Sequence, residues 1–278
     1  MATRTCVVVC YYIGEPIGPL FRLLKQMGKV DPGAPFDVVI VVNGGDLKPL
    51  TLPPQFAGLR ARVINRVNHG YNIEAWDIGW RASEGYDYFL FLQSQCFLKA
   101  KNWISDFEFR MARDRGVGLL GELYFWEHKT WEFIRESTDR DLGPSIWPAG
   151  EPLHPVEAVK TFIEGHGLPA TELGTHLSAI ILFTSRAVLE EVGGFPLVGA
   201  TYRQATAGEV GFSRVIEAKG YRLSRIRDRD FSVIGHRQHT RAHQVKDRLM
   251  NNARSFLKKL GVRRPRRKKP AVAPPGAG

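Results

Sequence analysis

Apolar positions in this chain come as unbroken runs and as helically spaced sets, and the two kinds alternate. CVVVCYY (Cys6–Tyr12) is a β-branched run and reads as a buried strand. Leu20, Leu23, Leu24 and Met27 share one helical face, so Leu20–Met27 is expected as a helix. FDVVIVVNGGD (Phe36–Asp46) reads as a second strand and ARVINRV (Ala61–Val67) as a third, with a proline-bearing loop over 47–60. Asn72–Ser83 is expected as a helix with Ile73, Trp76, Ile78 and Trp80 largely inward, and YDYFLFL (Tyr86–Leu92) as a fourth strand. Asn102–Arg115 then reads as helix and Gly116–Trp126 as strand. This alternation predicts an α/β fold with a mostly parallel central sheet flanked by helices.

Residues 127–175 are rich in Trp, Pro and Gly and read as irregular, apart from a helix expected at Pro155–His166. Loops this long are usually functional or mobile. His176–Ser185 is expected as one strand, Arg186–Val192 as a short helix, and Gly208–Lys219 as a helix closed by Gly220. Tyr221–Ile226 and Phe231–His236 read as late strands. The division expected is a domain over 1–240, a basic amphipathic helix over 241–261 and a disordered tail over 262–278. The tail, VRRPRRKKPAVAPPGAG, has too little apolar surface to fold.

Composition narrows this only slightly. Of 278 residues, 44% are hydrophobic, enough for a full core. No window approaches the roughly 18 apolar residues of a membrane span, and the apolar start reads as a strand rather than a signal peptide. Cys6 and Cys10 on one strand face would stand roughly 13 Å apart, too far for a disulfide. Three sparse cysteines point to reduced thiols and a cytoplasmic setting. The net charge of +11 gathers over 254–269, so it describes the tail more than the fold. Such a tail suits an anionic membrane surface at the inner face of the membrane, non-specific phosphate contacts to nucleic acid, or solubility. Leu249, Phe256, Leu257 and Leu260 form a partial apolar face, which favours the membrane surface or docking on the domain; no specific nucleic acid is expected.

In open α/β sheets, ligands lie beyond the carboxyl ends of strands, which singles out Asn43–Asp46, Asn65–Tyr71 and Gln93–Gln95. Asn43-Gly44-Gly45-Asp46 is a turn by composition and also permits close approach of a ligand. Asn72 is either a helix cap or a ligand contact. Glu209, read as opening a helix, is either a general base or a carboxylate stabilised by the helix dipole. His236, His239 and His243 have spacing compatible with a metal but no matching carboxylate, so a dedicated site is not expected.

Four stretches in order, spanning about residues 5–236, carry a family likeness. They are CVVVCYYIGEP with VVIVVNGGD, NHGYNIEAWDIGW, THLSAIILFTSRAVLEEVGGF and GEVGFSRVIEAKGYRL. Together they resemble the GT-A-type, family-2-like nucleotide-sugar glycosyltransferases, nearest the branch of the rhamnan synthesis F-like proteins. The resemblance implies a GT-A-like, Rossmann-like fold. It also implies inverting transfer of a hexosyl or deoxyhexosyl unit from a nucleotide-diphosphate sugar to a glycan or lipid-linked acceptor. Tyr11, Asn43, Asp46, Asn68, Gly70, Asn72, Gln93, Ser94 and Gln95 fall on the donor side. Glu209 falls at the base position, and His176, His236 and Arg237 on the acceptor or diphosphate side. The chain departs from the family at the tip of the fourth strand, where Gln93-Ser94-Gln95 replaces an Asp-x-Asp that binds a divalent ion. Neutral amides are poor ligands for Mn or Mg, so a metal is disfavoured, and Arg237 or Arg241 is expected to offset the departing charge. The rivals are a binding protein that keeps the pocket without turnover and, less favoured, a nucleic-acid-binding protein.

Overall fold

A computed structural model describes residues 4–142 and 153–240. The chain divides into two compact units, 1–237 and 238–278, and the sheet with its covering helices belongs to the first. The helix expected over 241–261, the tail over 262–278 and Arg241 lie outside the described residues.

The core is a seven-stranded sheet. In chain order its strands are β1 (Thr5–Tyr12), β2 (Phe36–Asn43), β3 (Ala61–Arg66), β4 (Tyr88–Gln93), β6 (Val117–Gly121), β9 (Ile181–Ser185) and β10 (Arg222–Arg225). They lie in the order β10-β6-β9-β4-β1-β2-β3. All pairings are parallel except those of β9, which runs antiparallel to β4 and β6. Two small antiparallel pairs complete the strands: β5 (Cys96–Leu98) with β11 (Ile234–His236), and β7 (Tyr124–Phe125) with β8 (His176–Leu177).

The unbroken apolar runs have a direct cause: both faces of the sheet are covered. Cys6, Val8 and Cys10 face one core with Val39, Val41, Phe89 and Phe91. Val7, Val9 and Tyr11 face the other with Val38, Ile40, Leu90 and Leu92. The first core is closed by α2 (Tyr71–Arg81), α5 (Pro155–Gly165), α6 (Arg186–Val192) and α7 (Tyr202–Ala218). The second is closed by α1 (Gly18–Met27) and α3 (Ser105–Arg113). All three cysteines are free and buried. Trp76 is fully buried, its indole donating to Leu92 O at 3.3 Å.

Four departures from the sequence expectation matter. A helix, α4 (Trp131–Leu142), occupies part of the stretch read as irregular. The strand expected over Gly116–Trp126 breaks after Gly121, where Glu122 turns inward. The strand expected over His176–Ser185 breaks at residues 178–180. Helix α7 begins at Tyr202 rather than Gly208, held by a capping box between Thr201 and Gln204. Glu209 therefore lies roughly two turns inside the helix rather than at its mouth.

Candidate active site

The break at residues 178–180 brings three separate elements together on the main chain of Ala179. Asn72 Nδ2, from α2, donates to Ala179 O at 2.7 Å. Gln93 Nε2, from the end of β4, donates to the same oxygen at 2.9 Å. Ala179 N–H donates to Glu209 Oε1, from α7, at 2.6 Å. The bend is fixed on both sides, by Ser178 N–H on Leu123 O at 2.9 Å and Gln93 N–H on Ile180 O at 3.1 Å.

Glu209 is set deep among protein groups while part of its surface stays open. Burial pushes its carboxyl up to about 7, against the opposing pull of the Ala179 N–H and the nearby Ser178 hydroxyl. Its position inside α7 removes the dipole explanation, because that effect fades within the first turn. A carboxyl titrating near neutrality can take a proton from a hydroxyl at physiological pH.

The tip of β4 has a local reason to carry amides. An amide nitrogen donates to the Ala179 carbonyl, whereas a carboxylate at position 93 would set acceptor against acceptor. Gln95 Nε2 donates to Glu15 Oε2 at 3.2 Å, in the loop after β1. Ser94 is buried, its N–H on Cys10 O at 3.0 Å. Arg237 N–H donates to Gln95 O at 3.2 Å, and β11 sets His236 opposite Cys96. The structure thus brings His236, buried, and Arg237, exposed, beside the β4 tip.

The ends of β2 and β3 form the other flank. Asn43 is buried and donates Nδ2 to Tyr71 O at 2.8 Å. Its Oδ1 and the Nη1 of Arg66, its register partner on β3, are shielded from water without a hydrogen-bond partner. Arg66 Nη2 pairs with Glu74 at 2.6 Å, and His69 meets the same carboxylate at 2.7 Å. Gly70 (φ 62°) turns the chain into α2, and a Cβ there would collide with the Glu74 side chain. Tyr71 follows with φ 53°, a left-handed conformation costing roughly 1–2 kcal/mol for a residue with a side chain. Asp46 and Asn68 are exposed on the flanking loops.

Three residues stand differently from their expected roles. Tyr11 is 2% exposed, with its hydroxyl on Glu15 O at 2.8 Å; the open tyrosine at this strand end is Tyr12, at 44%. Tyr11 belongs to the core because the strand alternation turns it toward α1. His176 is enclosed against Trp126 and Phe125, with Nδ1 at 2.9 Å from Gly174 O. Burial pushes its imidazole down to about 4, so it is a neutral packing group rather than a sugar contact. Asn72 is not the helix cap, since Gly70 holds that position.

Arg66, Glu15 and Ala179 escaped the sequence reading. Arg66 carries a readable signal, a cation ending a strand at the ligand edge. Ala179 acts through its backbone, which no side chain reveals.

The resemblance noted in the sequence implies a divalent ion at the β4 tip. The groups present at that tip are two amides and a buried serine, with the Glu15 carboxylate beside Gln95. Among the described residues no cluster of three or more His, Cys, Asp or Glu could hold a metal. This donor set does not fit a tightly held hard cation.

Among solved structures, the chain is similar to a mannosyltransferase from Pyrobaculum calidifontis in complex with GDP-Man and Mn2+. Identity is 15%, the match covers 95% of this chain and 66% of that chain, and the TM-score is 0.51. It is also similar to S. aureus TarS 1–349, at 15% identity over 82% of this chain and 59% of that chain, TM-score 0.46. A complex of TarS 1–349 with UDP-GlcNAc matches at 21% over 43% of this chain and 34% of that chain, TM-score 0.33. The first likeness establishes the fold as the GT-A type; the TarS matches are too loose to add to it. The chain spans about two thirds of the mannosyltransferase's length. No protein-family model matches the sequence, and no curated protein matches it.

Proposed function

We propose that the chain is a glycosyltransferase that moves a sugar from a nucleotide-diphosphate donor to a hydroxyl of a glycan or lipid-linked acceptor, with inversion. The observation that carries this reading is Glu209: a carboxyl raised to about 7, bound on one oxygen by Ala179 N–H. In this mechanism its other oxygen takes the acceptor hydroxyl proton. The acceptor oxygen attacks the anomeric carbon, the bond from that carbon to the diphosphate breaks, and the electron pair leaves on the diphosphate oxygen. Asn72 and Gln93 are positioning residues that fix Ala179, and through it Glu209. Asn43, Arg66 and Gly70 border the nucleotide side, with Gln95 and Arg237 at the diphosphate, where Arg237 meets the departing charge. Transfer then needs no tightly bound metal.

The experiment pairs a nucleotide-sugar panel with Glu209→Gln. Donor binding by calorimetry should persist while transfer falls about 10²–10⁴-fold. A near-normal rate with bound donor rejects the base role.

A second reading is a nucleotide-sugar-binding protein without turnover. The observation favouring it is that the Gln93 amide is tied to the scaffold rather than open to a ligand. Donor binding by the unaltered protein with neither transfer nor hydrolysis, on any acceptor tried, would establish it.

A further inference from the structure

A cavity of about 430 Å³ lies at the opposite edge of the sheet from the nucleotide flank, beside β10. Arg110, Tyr124, Ser224, Arg225, Arg227 and Asp228 line it. Two of its arginines are anchored by carboxylates. Arg225 pairs with Asp230 at 3.0 Å and Glu127 at 3.3 Å and lies over the Tyr124 ring at 5.5 Å. Arg227 pairs with Asp106 at 2.6 Å. Arg110, projecting from α3, differs. It is half-buried and has no carboxylate within ion-pair distance among the described residues. Its contact is one long bond, Nη2 to Ser224 Oγ at 3.5 Å, and its Nε is shielded from water without an acceptor. A guanidinium offers five donors, and leaving its Nε shielded without an acceptor is unfavourable; Asp114, held by Arg222, acts on Arg110 only through the longer-range field.

We propose that this cavity is an oxyanion subsite that takes a phosphate group, with Arg110 as its principal donor and Arg225 and Arg227 as held cations beside it. Planar guanidinium donors suit phosphate oxygens better than a lone ammonium does. Three strand spacings separate β10 from β4, roughly 14 Å, so the phosphate held here is not the diphosphate at the β4 tip. If the transferase reading holds, the group belongs to the acceptor, which is then a phosphate-bearing chain.

Calorimetry with inorganic phosphate at low salt tests the subsite without any transfer assay. The full chain, Arg110→Met and Arg110→Lys are compared. The expected result is binding by the full chain, weakened at least tenfold in Arg110→Met and partly kept in Arg110→Lys. Thermal unfolding without phosphate gives an independent readout. Arg110→Met should melt at or above the parent temperature, because it removes a shielded Nε that has no acceptor. Absence of phosphate binding, binding indifferent to Arg110→Met, or a lowered melting temperature for that variant overturns the subsite. Glycerol phosphate and vesicles of an anionic phospholipid then separate the sources: binding of the first alone assigns a soluble acceptor, and binding of the vesicles through Arg110 assigns a lipid-borne one. Failure here leaves the Glu209 chemistry untouched, and loss of transfer in Glu209→Gln leaves this subsite untouched.

Discussion

Glu122 and Glu209 both serve breaks in expected strands, and both accept backbone N–H groups, yet they are satisfied to very different degrees. Glu122 is 1% exposed. Its Oε1 accepts from Val233 N–H at 2.9 Å and Ile234 N–H at 2.6 Å, and its Oε2 from Ser232 N–H at 2.6 Å and Ser232 Oγ at 3.3 Å. That carboxylate ties the end of β6 to the segment leading into β11. Glu209 accepts one N–H, on Oε1, and keeps part of its surface open. Burial raises the pKa of both carboxyls. The difference lies in spare acceptor capacity. Glu122 accepts four hydrogen bonds on its two oxygens, whereas Glu209 accepts the Ala179 N–H, beside the Ser178 hydroxyl, in a position where ionisation is unfavourable. A carboxyl under-satisfied in this way costs the fold stability, which is what the proposed base role at Glu209 would account for.

The comparison breaks most clearly at Glu122. Glu122→Ala leaves the buried N–H groups of Val233 and Ile234 and the half-buried one of Ser232 without acceptors, at about 1–3 kcal/mol for each buried group, so chemical denaturation should show a loss of at least about 2 kcal/mol. A loss below about 1 kcal/mol would mean that Glu122 is not a structural knot.

Glu209→Gln should act in the opposite direction. The folded carboxyl keeps its proton until about pH 7, while the unfolded one releases it near 4.5. Unfolding therefore releases a proton between these values, and the parent loses stability as pH rises through that window. The amide has no such penalty. Urea unfolding at pH 8 should find Glu209→Gln more stable by up to about 3 kcal/mol, with the gap closing below pH 4.5. Equal stability at both pH values would contradict the raised carboxyl.

Gln93→Asp sharpens the comparison further. It sets a carboxylate against the Ala179 carbonyl and loses a hydrogen bond, so a loss of about 1–3 kcal/mol is expected. Added negative charge near Glu209 should also move its titration to higher pH. Asn72→Ala removes one donor from the same oxygen and should cost about 1 kcal/mol, with a weaker hold on Ala179. A Gln93→Asp protein as stable as the parent, and activated by Mn2+, would show that the amide is incidental.

Strands β1, β2 and β4 were legible because a sheet covered on both faces leaves long apolar runs. Helix α6 was legible because Ser185 caps it and Gly193 ends it, within the residues expected. Helix α4 was not, since Trp131 and Ile134 alone among its described side chains are buried, Phe133 is exposed, and most of WEFIRESTDRDL is polar. The break at residues 178–180 was hidden for the opposite reason: HLSAIILFTS stays apolar through it. Asn72, Gln93 and Glu209 were legible as a helix start, a strand end and a candidate base, and the family likeness tipped each toward function. That they converge was not, because they meet on a backbone group rather than on one another. Tyr11 and Tyr12 could not be told apart until the register fixed which one faces α1.

Carbon-detected NMR of the side-chain carboxyls, with pH titration of the parent protein and of Glu209→Gln to assign the signal, measures the proposed base directly. A midpoint near 7 for Glu209 is required if it takes the acceptor's proton. A midpoint near 4.5, the value of an ordinary exposed glutamate, would leave the cleft with no group suited to that step.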